Sequence, residues 1–116
     1  MPKQKPAKKI KLSPEALEAL AGTFRLLSEP GRLALLQELK EQERTVGELV
    51  ELTHLAQAGV SKHLKALHEG GLLGRRKEGV KVFYFLEGDF VFSLCRMVCE
   101  RLDEEQKGRN AIDFVI

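Results

Sequence analysis

One change of period constrains this chain more than any other feature of its sequence. Val60, Leu64 and Leu67 recur at helical spacing, within about 60° of one another on a wheel of about 3.6 residues per turn. After Gly70-Gly71 the spacing becomes two, and Val80, Val82, Tyr84 and Leu86 point one way as a half-buried strand would. Glu78-Gly79 sits where a tight turn is needed, because glycine tolerates positive φ. A short helix running straight into a β-hairpin is the unit this stretch specifies.

Three more helices announce themselves upstream. Ser13-Pro14-Glu15 supplies a capping hydroxyl, a proline preset for the first turn and an acid near the positive end of the helix dipole. Leu17, Leu20, Phe24 and Leu27 then follow on one face. Ser28-Glu29-Pro30 repeats the start signal ahead of Leu33, Leu36 and Leu39. Thr45-Val46-Gly47-Glu48 fits a capping box, with Leu49 and Leu52 behind it. Helices so closely spaced predict a compact helical bundle.

On the helix that enters the hairpin, Lys62 and Lys65 fall opposite the apolar stripe, with Gln57 and Ser61 at the edge. Such a face suits a DNA major groove: Gln57 and Ser61 can reach base edges, and the lysines phosphates or guanine. His63 flanks the apolar stripe, which favours packing or a backbone contact over base reading. Arg75, Arg76, Lys77 and Lys81 surround the hairpin tip, where a β-ribbon can track phosphates or place an arginine in the minor groove. The order helix, turn, basic ribbon is that of a winged helix-turn-helix. The plain alternative for these lysines is a solvated helix face.

Residues 24–86 resemble the arsenic-repressor (ArsR/SmtB) family of bacterial winged-helix repressors. The resemblance rests on Leu27-Ser28-Glu29-Pro30 with Arg32 and Leu33, and on Val60-Ser61-Lys62-His63-Leu64 with Leu67. Gly71-Leu72-Leu73 with Arg75-Arg76, Gly79 and Tyr84 completes it. It implies a mainly α, dimeric fold with four helices, a small two-stranded β-hairpin and a fifth helix. It further implies a homodimer made by the first and last helices, a fourth helix that reads a palindromic operator in double-stranded DNA, and repression relieved by an effector. Ala56 stands where members often carry a serine that caps the recognition helix, and Gly31 and Gly59 replace larger residues. A lost cap costs about 1 kcal/mol, so the recognition helix is expected to start late or to be mobile before DNA binds.

The effector is less legible. Metal-sensing members of that family often carry a Cys-x-Cys pair in the third helix, or Asp and His ligands along the last. Glu48-Leu49-Val50-Glu51-Leu52 has no thiol, and the segment from Asp89 to about Glu105 has no histidine. Zinc needs about four N, S or O ligands, and His54, His63 and His68 fall on or near the DNA-reading unit. What remains is Cys95 and Cys99, spaced i, i+4 on the last helix, whose sulfurs lie on one face and suit a soft ion such as trivalent arsenic. Pairing across a two-fold axis would bring up to four thiols together. Reversible thiol oxidation is a second possibility. Simple packing is a third, because Val91, Leu94, Val98 and Leu102 place Cys95 near the middle of an apolar stripe.

Composition sets the outer limits. With 116 residues, 43% hydrophobic and 31% charged, the chain reads as a single globular domain of modest core. The net charge of +2 decides nothing, but its distribution does. Lys3, Lys5, Lys8, Lys9 and Lys11 come without an acid, so 1–12 read as a flexible basic arm, a solubilising tail or a phosphate-binding one. With the resemblance, residues 13–107 are expected to form the DNA-binding and dimerisation domain, and 108–116 an apolar tail whose partner the sequence does not name. No run approaches the ~18 apolar residues that span a membrane, and two cysteines make no disulfide framework, so the cytoplasm is the expected compartment. No phosphate-cradling loop or nucleophile-base pair suggests an enzyme. The competing class is a winged helix that docks an acidic protein. An effector-independent repressor with purely structural cysteines is the other alternative.

Overall fold

The computed structural model describes residues 11–106 and 112–116. The chain runs α1 (Pro14–Leu26), α2 (Pro30–Glu38), β1 (Arg44–Thr45), α3 (Val46–Thr53), α4 (Gln57–Glu69), β2 (Leu73–Glu78), β3 (Lys81–Leu86) and α5 (Phe90–Glu105). This is the expected winged helix-turn-helix order with one addition, the two-residue strand β1. It pairs antiparallel with β3 (Arg44 opposite Tyr84, Thr45 opposite Phe83) and gives a sheet of order β1-β3-β2.

Local chemistry explains most boundaries. Ser13 Oγ accepts from Ala16 N at 3.1 Å and opens α1. Thr45 and Glu48 form the complete capping box of α3, Thr45 Oγ1 accepting from Glu48 N and Glu48 Oε1 accepting from Thr45 N. Ser28 departs from its expected role. Its hydroxyl donates back to Arg25 O at 2.9 Å, closing α1, and the N-cap of α2 is Glu29 with no side-chain bond. Ala56 is the uncapped N-cap of α4, yet the helix starts immediately after it, at Gln57, and not late. The hairpin also shifts by one residue. Its turn is Gly79-Val80, with φ of +64° at Gly79, and β3 begins at Lys81, so Val80 is 96% exposed at the tip instead of pointing inward.

The core lies between α2, α3, α4 and the hairpin. Leu35, Leu36, Leu49, Val60, Leu64 and Leu67 are fully buried there, joined by Leu39, Leu72, Leu73, Tyr84 and Val91. The α4 stripe is therefore the one its period specified.

The flanks differ. Helix α1 buries no residue completely, and Leu17, Leu20 and Phe24 are each about half exposed. In α5 only Val91 and Phe92 are buried, while Val98 and Leu102 face outward. The apolar faces of α1 and α5 thus exist as predicted, but the described residues of one chain leave them largely exposed. Ile112–Ile116 fold back toward this flank: Gln106 exchanges side-chain hydrogen bonds with the Ile112 main chain, and Lys40 Nζ donates to Ile116 O at 2.9 Å. Lys3, Lys5, Lys8 and Lys9, and Gly108 at the expected end of the last helix, lie outside the described residues.

Candidate nucleic-acid interface

Because Val60, Leu64 and Leu67 are fully buried, the opposite face of α4 is fixed toward solvent. Gln57, Ala58, Ser61, Lys62 and Lys65 are all exposed on it. No acidic side chain among the described residues pairs with Lys62 or Lys65. The result is a small, polar, cationic helix face left exposed by the described residues.

His63 is turned the other way. Its Nδ1 accepts from Arg32 Nε at 3.2 Å, and its Nε2 lies 3.8 Å from Glu29 Oε1. Gly31 makes room for the ring, since a Cβ there would meet His63 Nε2 at 3.1 Å. The imidazole therefore braces α4 against α2, in keeping with its place beside the apolar stripe. At the far end of α4, His68 meets Tyr84 edge-on at 6.5 Å and ties the helix to β3. His54 closes α3 with a left-handed φ of 62°. The three histidines do not converge, and no group of three or more potential ligands is present among the described residues.

The hairpin does not present its cations as one cluster. Side chains alternate across a strand, and directly opposed residues share a face. Arg75 stands opposite buried Tyr84 and Lys77 opposite Val82, on the face that packs toward the core and α4. Arg76 stands opposite Phe83 and Lys81 opposite Glu78, on the other face. There Arg76 is fully engaged. Its Nε and Nη2 donate to the two oxygens of Glu43 at 2.8 and 2.6 Å, its Nη1 to Glu78 at 3.1 Å, and its guanidinium lies 4.5 Å from the Phe83 ring centroid. The Arg76 hydrogen bonds and charge hold the Glu43 carboxyl below its ordinary pKa, and the two carboxylates push Arg76 still higher. Glu43 escaped the sequence reading because its partner is 33 residues away and only the β1-β3 pairing brings the two together.

Cys95 and Cys99 lie on the opposite flank. Together with Phe24, Leu27, Leu33, Val98, Leu102 and others they line an apolar groove of about 510 Å³, whose far wall is Phe114 and Ile116 of the tail. Cys95 packs partly against the core. Burial, and then the neighbouring Cys99, push its thiol above the ordinary pKa.

With the fold and these surfaces in place, comparison with known proteins is decisive. A family description, bacterial regulatory protein of the arsR family, matches residues 29–74, from the start of α2 into β2. The SmtB homolog of Synechocystis, a transcriptional repressor, is 31% identical over 93 residues, 80% of this chain and 70% of that protein. The chain belongs to the arsR family. The family's SmtB repressor from Mycobacterium tuberculosis H37Rv is 39% identical over 72 residues, 62% of this chain. The match spans 53% of that repressor, about half its length. Among solved structures, a homodimeric winged helix-turn-helix DNA-binding domain of Mycobacterium bovis superposes with a TM-score of 0.70 at 26% identity. It covers 88% of this chain and 100% of that one. The arsR match ends at Gly74 and so takes in α4 whole, the element with the open polar face.

Proposed function

We propose that this chain is a sequence-specific, DNA-binding transcriptional regulator that acts as a homodimeric repressor at a palindromic operator. The observation that carries this reading is the cationic face of α4, open to solvent and flanked by Arg75 and Lys77 of the hairpin. In this reading α4 enters the major groove. Gln57 and Ser61 address base edges, and Lys62 and Lys65 address phosphates or guanine. Arg75 and Lys77 follow the adjacent backbone. His63 positions α4 through Arg32 and does not touch bases. Support comes from the family, whose members include repressors, and from the uncovered apolar faces of α1 and α5. A second copy would cover those faces and set two α4 helices on successive turns of a duplex.

The test is fluorescence anisotropy on duplex from the chain's own promoter against random duplex at equal salt. Tighter binding to the promoter, weakened by Lys62→Ala, supports the reading. Equal binding to both duplexes removes it, and so does a Lys62→Ala variant of unchanged affinity. A winged helix that docks an acidic protein predicts equal, weak binding to either duplex.

A second element of the proposal concerns release. Both thiols line one groove next to the faces that would dimerise, so a thiophilic metal or metalloid, or an oxidant, acting at Cys95 and Cys99 would act on the dimer. Arsenite added to the complex is expected to release DNA from the native chain and not from Cys95→Ser or Cys99→Ser. Release that survives both substitutions, or no release by arsenite or by oxidants, returns the cysteines to packing.

A further inference from the structure

The hairpin carries four cations near its tip, and among the described residues Arg76 is the one the structure ion-pairs. Glu43 immediately precedes the two-residue strand β1, whose Thr45 opposes Phe83. Phe83 in turn opposes Arg76. Arg76 lies over the Phe83 ring, and Glu43, just before β1, receives two of its guanidinium donors there. Glu78 takes a third donor of the same arginine and stands opposite Lys81. Both acids of this face are thus spent on Arg76, and Lys81 shares only a cross-strand position with Glu78. Arg75 and Lys77, on the α4 side, have no acidic partner among the described residues.

We propose that Glu43 acts as an intramolecular stand-in for phosphate, holding Arg76 away from DNA so that the wing offers the backbone a single cationic face. This rests on the DNA-binding reading above. A carboxylate bound through two parallel N–H···O contacts occupies the guanidinium edge that a phosphate would use. It is also tethered in place, so it competes at the high effective concentration of an attached group. The consequence is selective. Contacts to phosphate raise affinity for every sequence alike, whereas discrimination depends on the ratio of specific to non-specific binding. Withholding one arginine per protomer lowers the non-specific term and leaves the α4 contacts untouched. The aromatic platform keeps Arg76 extended when it is not on DNA, so Glu43 and Phe83 together determine where the side chain rests.

The experiment compares native chain, Glu43→Gln, Glu41→Gln, Arg76→Ala and the Glu43→Gln/Arg76→Ala double variant on a random duplex across a salt series. Glu41 is an exposed acid of the same α2-β1 loop, so its change removes equal charge without touching Arg76. Glu43→Gln is expected to tighten random-duplex binding roughly fivefold per protomer near physiological salt, and to steepen the log K against log salt slope by about 0.9 per protomer. Glu41→Gln should do neither, and the double variant should return to the native slope. Arg76→Ala alone should leave the slope within error of native. The proposal is overturned if Glu43→Gln behaves like Glu41→Gln, or if Arg76→Ala alone flattens the slope, which would place Arg76 on DNA already. The single Arg76→Ala measurement stands even if Glu43→Gln folds poorly. No binding of the native chain to any duplex at low salt would remove the DNA-binding reading itself, and this proposal with it.

Discussion

The half of the molecule built from α2, α3, α4 and the hairpin is closed, while the flank of α1 and α5 is open. In the first, six side chains are fully buried and the wheel of α4 is satisfied within one chain. In the second, helices with equally regular apolar stripes leave Leu17, Leu20, Phe24, Val98 and Leu102 exposed. Amphipathicity reports that a face seeks cover, and it does not say whether the cover is in the same chain. Here the closed half carries the candidate DNA surface, and the open half carries the apolar faces that the proposed function assigns to a second copy. In the proposed reading, recognition and assembly fall to different parts of a small chain.

The comparison predicts different responses to mutation. Leu64→Ala should leave a cavity in the closed half and lower unfolding free energy by about 3 kcal/mol, measured by denaturant titration at any protein concentration. A loss below about 1 kcal/mol would mean that the closed half is not closed. Phe24→Glu on the open flank should preserve helical circular dichroism while weakening self-association by about a hundredfold, about 3 kcal/mol, measured by sedimentation. Unchanged association would place the dimer elsewhere. The smallest effect is at the hairpin. Arg76 lowers the folded-state pKa of Glu43, so the stabilisation from that pair is fully present above the unfolded carboxyl value near 4.5 and is lost as pH falls through the lower folded value. A carboxyl NMR titration should show the Glu43 midpoint rising in Arg76→Ala. An unmoved midpoint would detach the carboxylate from the guanidinium.

What the sequence made legible follows the range of the forces involved. Ser13, the Thr45-Glu48 box and the stripe of α4 depend on neighbours within a few residues, and all are realised. Ser28 shows the limit of that reasoning, because a hydroxyl between two helices can cap either one and here serves the earlier. Strand β1 has too few residues for alternation to be seen, and it exists only because β3 supplies its hydrogen bonds. The same long-range pairing decides which hairpin cations are unpaired. Arg75, Arg76 and Lys77 look equivalent as a run of charge. The register separates them into two faces, and Glu43, distant in sequence, neutralises the middle one. His63 was legible through its neighbours on the wheel, but its partners Arg32 and Glu29 come from another helix.

The central claim is that the open flank pairs two chains so that two closed halves read one duplex. Sedimentation of the 13.0 kDa chain with promoter duplex, at a salt concentration where random duplex stays free, tests it most directly. Two protomers on one duplex, falling to weak or single occupancy in Phe24→Glu, is the predicted result. One protomer per duplex in the native chain, or the same occupancy on random duplex, would contradict it.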